Sequence, residues 1–175
     1  AVLSNQKTIH VTLVNPKIVC HEQSTANGAY AIFGGAVVIE GGTIDTCNRQ
    51  GHGVDASYGG HIYCNGTVIH TGGRNSGALA TDFQGGYITV RDIDATTEIP
   101  GSPGIYTAGK SIITAYNSKF LSKGCEAVMV AHSLGHTYLY DCELTGTVAL
   151  NTHNSMNPEY SYIHMFGGKL NSTAA

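Results

Sequence analysis

At 175 residues with a formal net charge of −3, residues 1–175 read as a single domain with room for a sizeable core. Charged residues make up 12% against 42% hydrophobic, and there are 23 Gly; that balance excludes a disordered chain and suits short strands joined by tight turns. No basic face is available for nucleic acid, and no apolar run is long enough for membrane insertion.

Taken in chain order, a short alternating segment recurs. Val11-Thr12-Leu13-Val14-Asn15 is followed by Val37-Val38-Ile39-Glu40-Gly41 and by Ile62-Tyr63-Cys64-Asn65-Gly66. Ile88 to Asp92, Ile113 to Asn117, Thr137 to Asp141 and Ile163 to Gly167 complete the series. The last position is always Asn, Asp or Gly, residues that tolerate a left-handed corner. Three residues beyond each corner stands Ile18, Ile44, Ile69, Ala95, Phe120, Leu144 or Leu170. A further strand opens at Val54, Leu79, Ile105, Val128 and Leu150, each preceded by Gly or Ala.

Alternation of period two excludes amphipathic helices. Recurrence of the same pattern in like register favours stacked turns over the antiparallel hairpins of a sandwich. The fold class expected is therefore all-β, a right-handed parallel β-helix (solenoid) of about seven turns. Uncapped ends predict either end-to-end association of copies, a homo-oligomer, or a chain that is part of a longer one.

The three-strand unit resembles the right-handed parallel β-helix, or pectin-lyase-like, superfamily. GHGVDASYGG (51–60), SGALATDFQGG (76–86), SPGIYTAG (102–109) and CEAVMVAHS (125–133) are similar to repeats of secreted adhesin-like and carbohydrate-binding β-helix proteins of bacteria and fungi. That resemblance implies the fold and brings no agreed active site. The tripeptide Gly51-His52-Gly53 resembles one near the catalytic Asp residues of pectin-hydrolysing members. The Asp pair that precedes it and the Arg-x-Lys that follows it in those enzymes are missing, so the glycines read as a turn with His52 facing solvent.

Strand parity sends Asp55, Tyr106 and, further along the same face, Asp82, His132 and His153 outward. Asp55 and Asp82 would lie roughly 8 Å apart at the backbone, a spacing for acid and base on a glycosidic bond. Tyr106 or a His would alternatively remove an α-proton from a uronic acid. The plainer alternative is that polar residues belong on any outer face. A second outward face gathers Tyr116, Tyr138, Tyr140, His164 and Phe166, an aromatic patch for stacking on sugars or packing against a partner protein.

Sequons at Asn65 and Asn171 are candidate glycosylation sites and point to a secreted or cell-surface protein. Cys20 and Cys47 occupy nearly equivalent places on adjacent turns, offset by one residue, and form the expected disulfide. Cys64 is expected in the core, with Cys125 and Cys142 free. No Cys/His finger spacing occurs and no Asp cluster suits calcium, so no metal and no cofactor is expected. Three functions compete: a polysaccharide hydrolase or lyase, a non-catalytic glycan-binding or adhesin module, and a structural solenoid. The polysaccharide-binding reading leads, with cleavage left open.

Overall fold

The computed structural model describes residues 1–21, 25–47, 50–81, 84–131, 134–153 (for His153 the backbone alone) and 160–173. The strands form three parallel sheets, each seven strands deep, in a solenoid of about six full turns. Sheet A stacks β1 (Val2–Ser4), β4 (Ala29–Ile32), β7 (Val54–Ser57), β10 (Leu79–Thr81), β13 (Ile105–Ala108), β16 (Val128–Ala131) and β19 (Leu150–His153). Sheet B stacks β2 (His10–Val14), β5 (Ala36–Glu40), β8 (His61–Asn65), β11 (Tyr87–Arg91), β14 (Ile112–Tyr116), β17 (His136–Tyr140) and β20 (Tyr162–Phe166). Sheet C stacks β3 (Lys17–Cys20), β6 (Thr43–Thr46), β9 (Val68–Thr71), β12 (Asp94–Thr97), β15 (Lys119–Ser122), β18 (Glu143–Gly146) and β21 (Lys169–Ser172).

Each turn takes one strand from each sheet, so every hydrogen-bonded neighbour is the same strand one turn away. The register is the one expected from the repeat: Val37 pairs Ile62, Ile62 pairs Ile88, and Ile88 pairs Ile113. All seven corner residues between sheets B and C adopt positive φ, from 46° at Asn117 to 75° at Gly167. That backbone region costs most residues about 1–2 kcal/mol and is routine only for Gly, Asn and Asp. The corner composition therefore follows from geometry.

Inward side chains form columns along the axis. Ile44, Ile69, Ala95, Phe120 and Leu144 fill sheet C's side of the core, and Val54, Leu79, Ile105 and Val128 fill sheet A's. Small residues yield where large ones intrude. A Cβ at Gly53, for example, would stand 2.4 Å from Ile69 Cγ2 and 2.6 Å from the Ala78 carbonyl oxygen. At the last turn Ile163 and Met165 are half-buried and Leu170 is exposed.

The inner end of sheet C is polar. Thr46, Thr71, Thr97 and Ser122 are buried in one column, and the three threonine hydroxyls each donate to a carbonyl five residues on. Thr46 Oγ1 reaches the Gly51 oxygen at 3.0 Å, Thr71 that of Ser76 at 2.9 Å, and Thr97 that of Ser102 at 2.6 Å. These bonds tie the loops between sheets C and A back onto the core. Thr46→Val keeps the volume but leaves the Gly51 carbonyl without its donor, and should lower unfolding free energy by about 1–3 kcal/mol, measured by denaturant titration.

Candidate functional site

The tied loops are the wall of a cleft of about 740 Å³ on the outer side of sheet A. Its floor is the column Tyr30, Asp55, Tyr106 and Met129, and its wall is the column Asn27, His52, Gly77, Pro103 and Glu126. The two columns flank the same small-residue step. In Asn27-Gly28-Ala29-Tyr30, His52-Gly53-Val54-Asp55 and Glu126-Ala127-Val128-Met129 the first residue supplies the wall and the fourth the floor. The rim is Gln50, Asn75 and Gly101, all at positive φ.

Asn27 joins floor and wall. Its Nδ2 donates to Asp55 Oδ2 at 2.8 Å, and its Oδ1 accepts from the backbone N–H of His52 at 2.9 Å. Asp55 Oδ1 also accepts from the Ser57 hydroxyl at 3.3 Å. Asp55 is only 7% exposed, so the residue expected on an open outer face lies under the loops that line the cleft. His52, expected to face solvent, is half-buried in the wall. Its Nδ1 accepts the Gly77 N–H at 2.9 Å, which leaves the neutral ring's proton on Nε2.

Glu126 sits at the far end. Burial pushes its carboxyl up, but the Cys125 thiol, its own backbone N–H and the Asn151 amide outweigh this and hold it below its ordinary value. Asp55 and Glu126 are three rungs apart, about 14 Å along the axis, too far for the paired carboxylates of a glycosidase. Asp82 and His132 lie outside the described residues, as does the side chain of His153, so of the expected acid–base group the cleft brings together Asp55 and Tyr106. Among its described lining residues there is no Lys or Arg.

The aromatic residues expected on the second face do gather on sheet B, as ladders. Tyr116, Tyr140 and Phe166 stack at 4.8 and 4.9 Å with interplanar angles of 11° and 10°. Tyr138 stacks on His164 at 4.7 Å, and Arg91 covers the other side of Tyr116 at 4.6 Å. Register imposes this, because identical positions on neighbouring strands are about 4.8 Å apart. The ring faces are therefore spent on one another and the ring edges turn outward. Phe166, the ladder's last ring, is 51% exposed.

Cys20 and Cys47 are not bridged; all five cysteines are unpaired. Cys20 is in register with Thr46, so Cys47 is one residue further on, and one step along a strand turns a side chain to the opposite side. Cys20 points inward and is buried, Cys47 is exposed. Cys64 is in the core as expected, where burial and then the charge of Glu40 push its thiol up to about 12. Asn65 ends β8 and donates to Glu40 Oε2 at 3.0 Å, while Asn171 is exposed on β21. On sheet C, Asp45 lies between His21 Nε2 at 3.0 Å and His70 Nδ1 at 2.9 Å.

Comparison of the chain with protein-family models, with curated proteins and with solved structures gives no match in any of the three. The parallel β-solenoid itself is plain in the structure.

The wall residues Asn27, His52 and Glu126 were the part of the site that strand parity missed, because they precede the strands. Their signal was present: each stands directly before the Gly or Ala that precedes a sheet A strand.

Two outcomes follow from the site's environment. Tyr140→Ala removes the middle ring of a three-ring ladder and should cost roughly 1–2 kcal/mol in thermal unfolding, with Tyr140→Phe near neutral. The Glu126 carboxyl is depressed from 4.5, so its contribution is complete above that value and disappears as pH falls through the lower, folded one. Acid titration of stability should accordingly be shallower in Glu126→Gln than in the parent chain.

Proposed function

We propose that this protein is a glycan-binding β-solenoid whose ligand lies along the sheet A cleft. The observation that carries this reading is the lining: amides, carboxylates, an imidazole and two tyrosines stand in columns that run parallel to the solenoid axis. Such groups match the hydroxyls of a sugar chain, and a rung of about 4.8 Å is close to the length of one sugar residue. The lack of Lys and Arg among the described lining residues favours a neutral glycan over a polyuronate, whose carboxylates need cations opposite them. The cleft is a better seat than the aromatic face, because the rings of sheet B already stack on each other.

Resemblance to pectin-lyase-like and adhesin-like β-helix proteins supports the reading at the level of architecture. Secretion or cell-surface display belongs to the same proposal and rests on the two sequons, since no disulfide adds to it. Cleavage is a second reading, favoured by one feature. Asn27 bonds both the Asp55 carboxylate and the backbone N–H of His52, which holds the two residues in one cleft, and the His52 ring accepts the Gly77 N–H at Nδ1.

The test is an array of neutral and uronate oligosaccharides, followed by calorimetry and product analysis on any hit. Neutral oligosaccharides should bind, and Tyr106→Phe and His52→Gln should each weaken binding about 5- to 10-fold, the loss of one hydrogen bond. Tyr140→Phe should bind as the parent does. Affinity that responds to Tyr140→Phe and ignores both cleft variants, or binding confined to uronates, would sink the proposal. Appearance of shortened products would establish the second reading.

A further inference from the structure

The corner where the first two turns pass out of sheet C carries a side-chain cluster that the cleft does not use. His21 follows β3, Asp45 lies on β6, and Cys47 follows β6. One donor atom from each lies within 4.8 Å of the other two. His21 Nε2 is 3.0 Å from Asp45 Oδ2, and Cys47 Sγ is 3.7 Å from Asp45 Oδ1. We propose that His21, Asp45 and Cys47 form a binding site for a divalent transition metal of the zinc class.

Tetrahedral zinc, with bonds of about 2.0–2.3 Å, sets its nitrogen, oxygen and sulfur ligands roughly 3.3–3.6 Å apart. His21 Nε2 and Cys47 Sγ lie 3.0 and 3.7 Å from the two Asp45 oxygens, and the three donors fall within 4.8 Å of one another, so side-chain rotations are enough to close the set on an ion. The donor set is mixed imidazole, carboxylate and thiol, which suits zinc and its neighbours and does not suit calcium or magnesium, which take oxygen alone. Solvent supplies the fourth ligand.

Asp45 is also oriented from behind, as metal-bound carboxylates are. Its Oδ1 meets His70 Nδ1 at 2.9 Å, His70 Nε2 meets Glu98 Oε1 at 3.3 Å, and Lys123 Nζ holds Glu98 Oε2 at 2.8 Å. This chain crosses four successive turns and fixes the carboxylate while leaving Oδ2 toward His21. A divalent cation takes the Cys47 thiolate as ligand, and the thiol proton leaves to solvent. The one-residue offset that keeps Cys47 from Cys20 is what turns the thiol toward Asp45.

The test is titration of the full chain with Co²⁺ followed by competition with Zn²⁺. A thiolate-to-cobalt charge-transfer band should grow to saturation at about one equivalent, and zinc should bleach it. Cys47→Ser should abolish the band, and His21→Ala should weaken affinity at least about 10-fold. Cys125→Ser, which alters a thiol elsewhere, should titrate like the parent. Circular dichroism checks that the variants keep the fold, and both altered residues are exposed. No band in the parent, a band that persists in Cys47→Ser, or an unchanged affinity in His21→Ala would each show that the cluster is an ordinary surface ion-pair group.

Discussion

Backbone hydrogen bonding between equivalent residues of successive turns is the constraint on which the rest of this structure depends. Because each strand pairs with its own counterpart one turn away, every position becomes a column about 4.8 Å in rise. A column has one environment throughout. Apolar columns make the core, hydroxyl columns clamp the loops, aromatic columns become stacked ladders, and polar columns above sheet A line a cleft. The corners that allow this pairing require left-handed backbone once per turn, which is why Asn, Asp and Gly recur there.

Core and cleft are mechanically joined. The hydroxyls of Thr46, Thr71 and Thr97 are buried among apolar neighbours, yet their acceptors lie in the loops that form the wall. A buried hydroxyl with a good acceptor is a rigid attachment, because breaking it leaves polar groups stranded away from water. The wall residues His52, Gly77 and Pro103 are thus carried on loops that behave as extensions of the sheets. Site geometry of this kind is held by the scaffold and needs no closing segment.

Much of the fold was legible in one reading of the chain. The pairing of Val37 with Ile62 and Ile88, the burial of Cys64 and the corner at each Asn, Asp or Gly all follow from a repeat seen at residue level. The site was half legible. Parity put Asp55 and Tyr106 on the right face, but it left undecided whether that face is a cleft or flat, and His52 was expected to face solvent. Parity describes a strand and is silent about the loops, which fold over the sheet edge and bury Asp55. The same limit explains the disulfide expectation: a one-residue offset looks small along the chain and is a half-turn of the side chain in space.

The sequence by itself determined the repeat, the sheet register and which residues fill the core, since each depends on periodicity and on local backbone preference. Only the tertiary structure decided what the polar residues do. Asn27 comes from the turn before the one that carries His52 and Asp55, and His21, Asp45, His70 and Glu98 come from four successive turns, so their meeting depends on how loops of unequal length settle against a common axis. Stacking brings residues some 25 positions apart to neighbouring rungs. The rotation of each side chain about its backbone, set by packing and hydrogen bonds from other turns, then settles whether neighbours become partners.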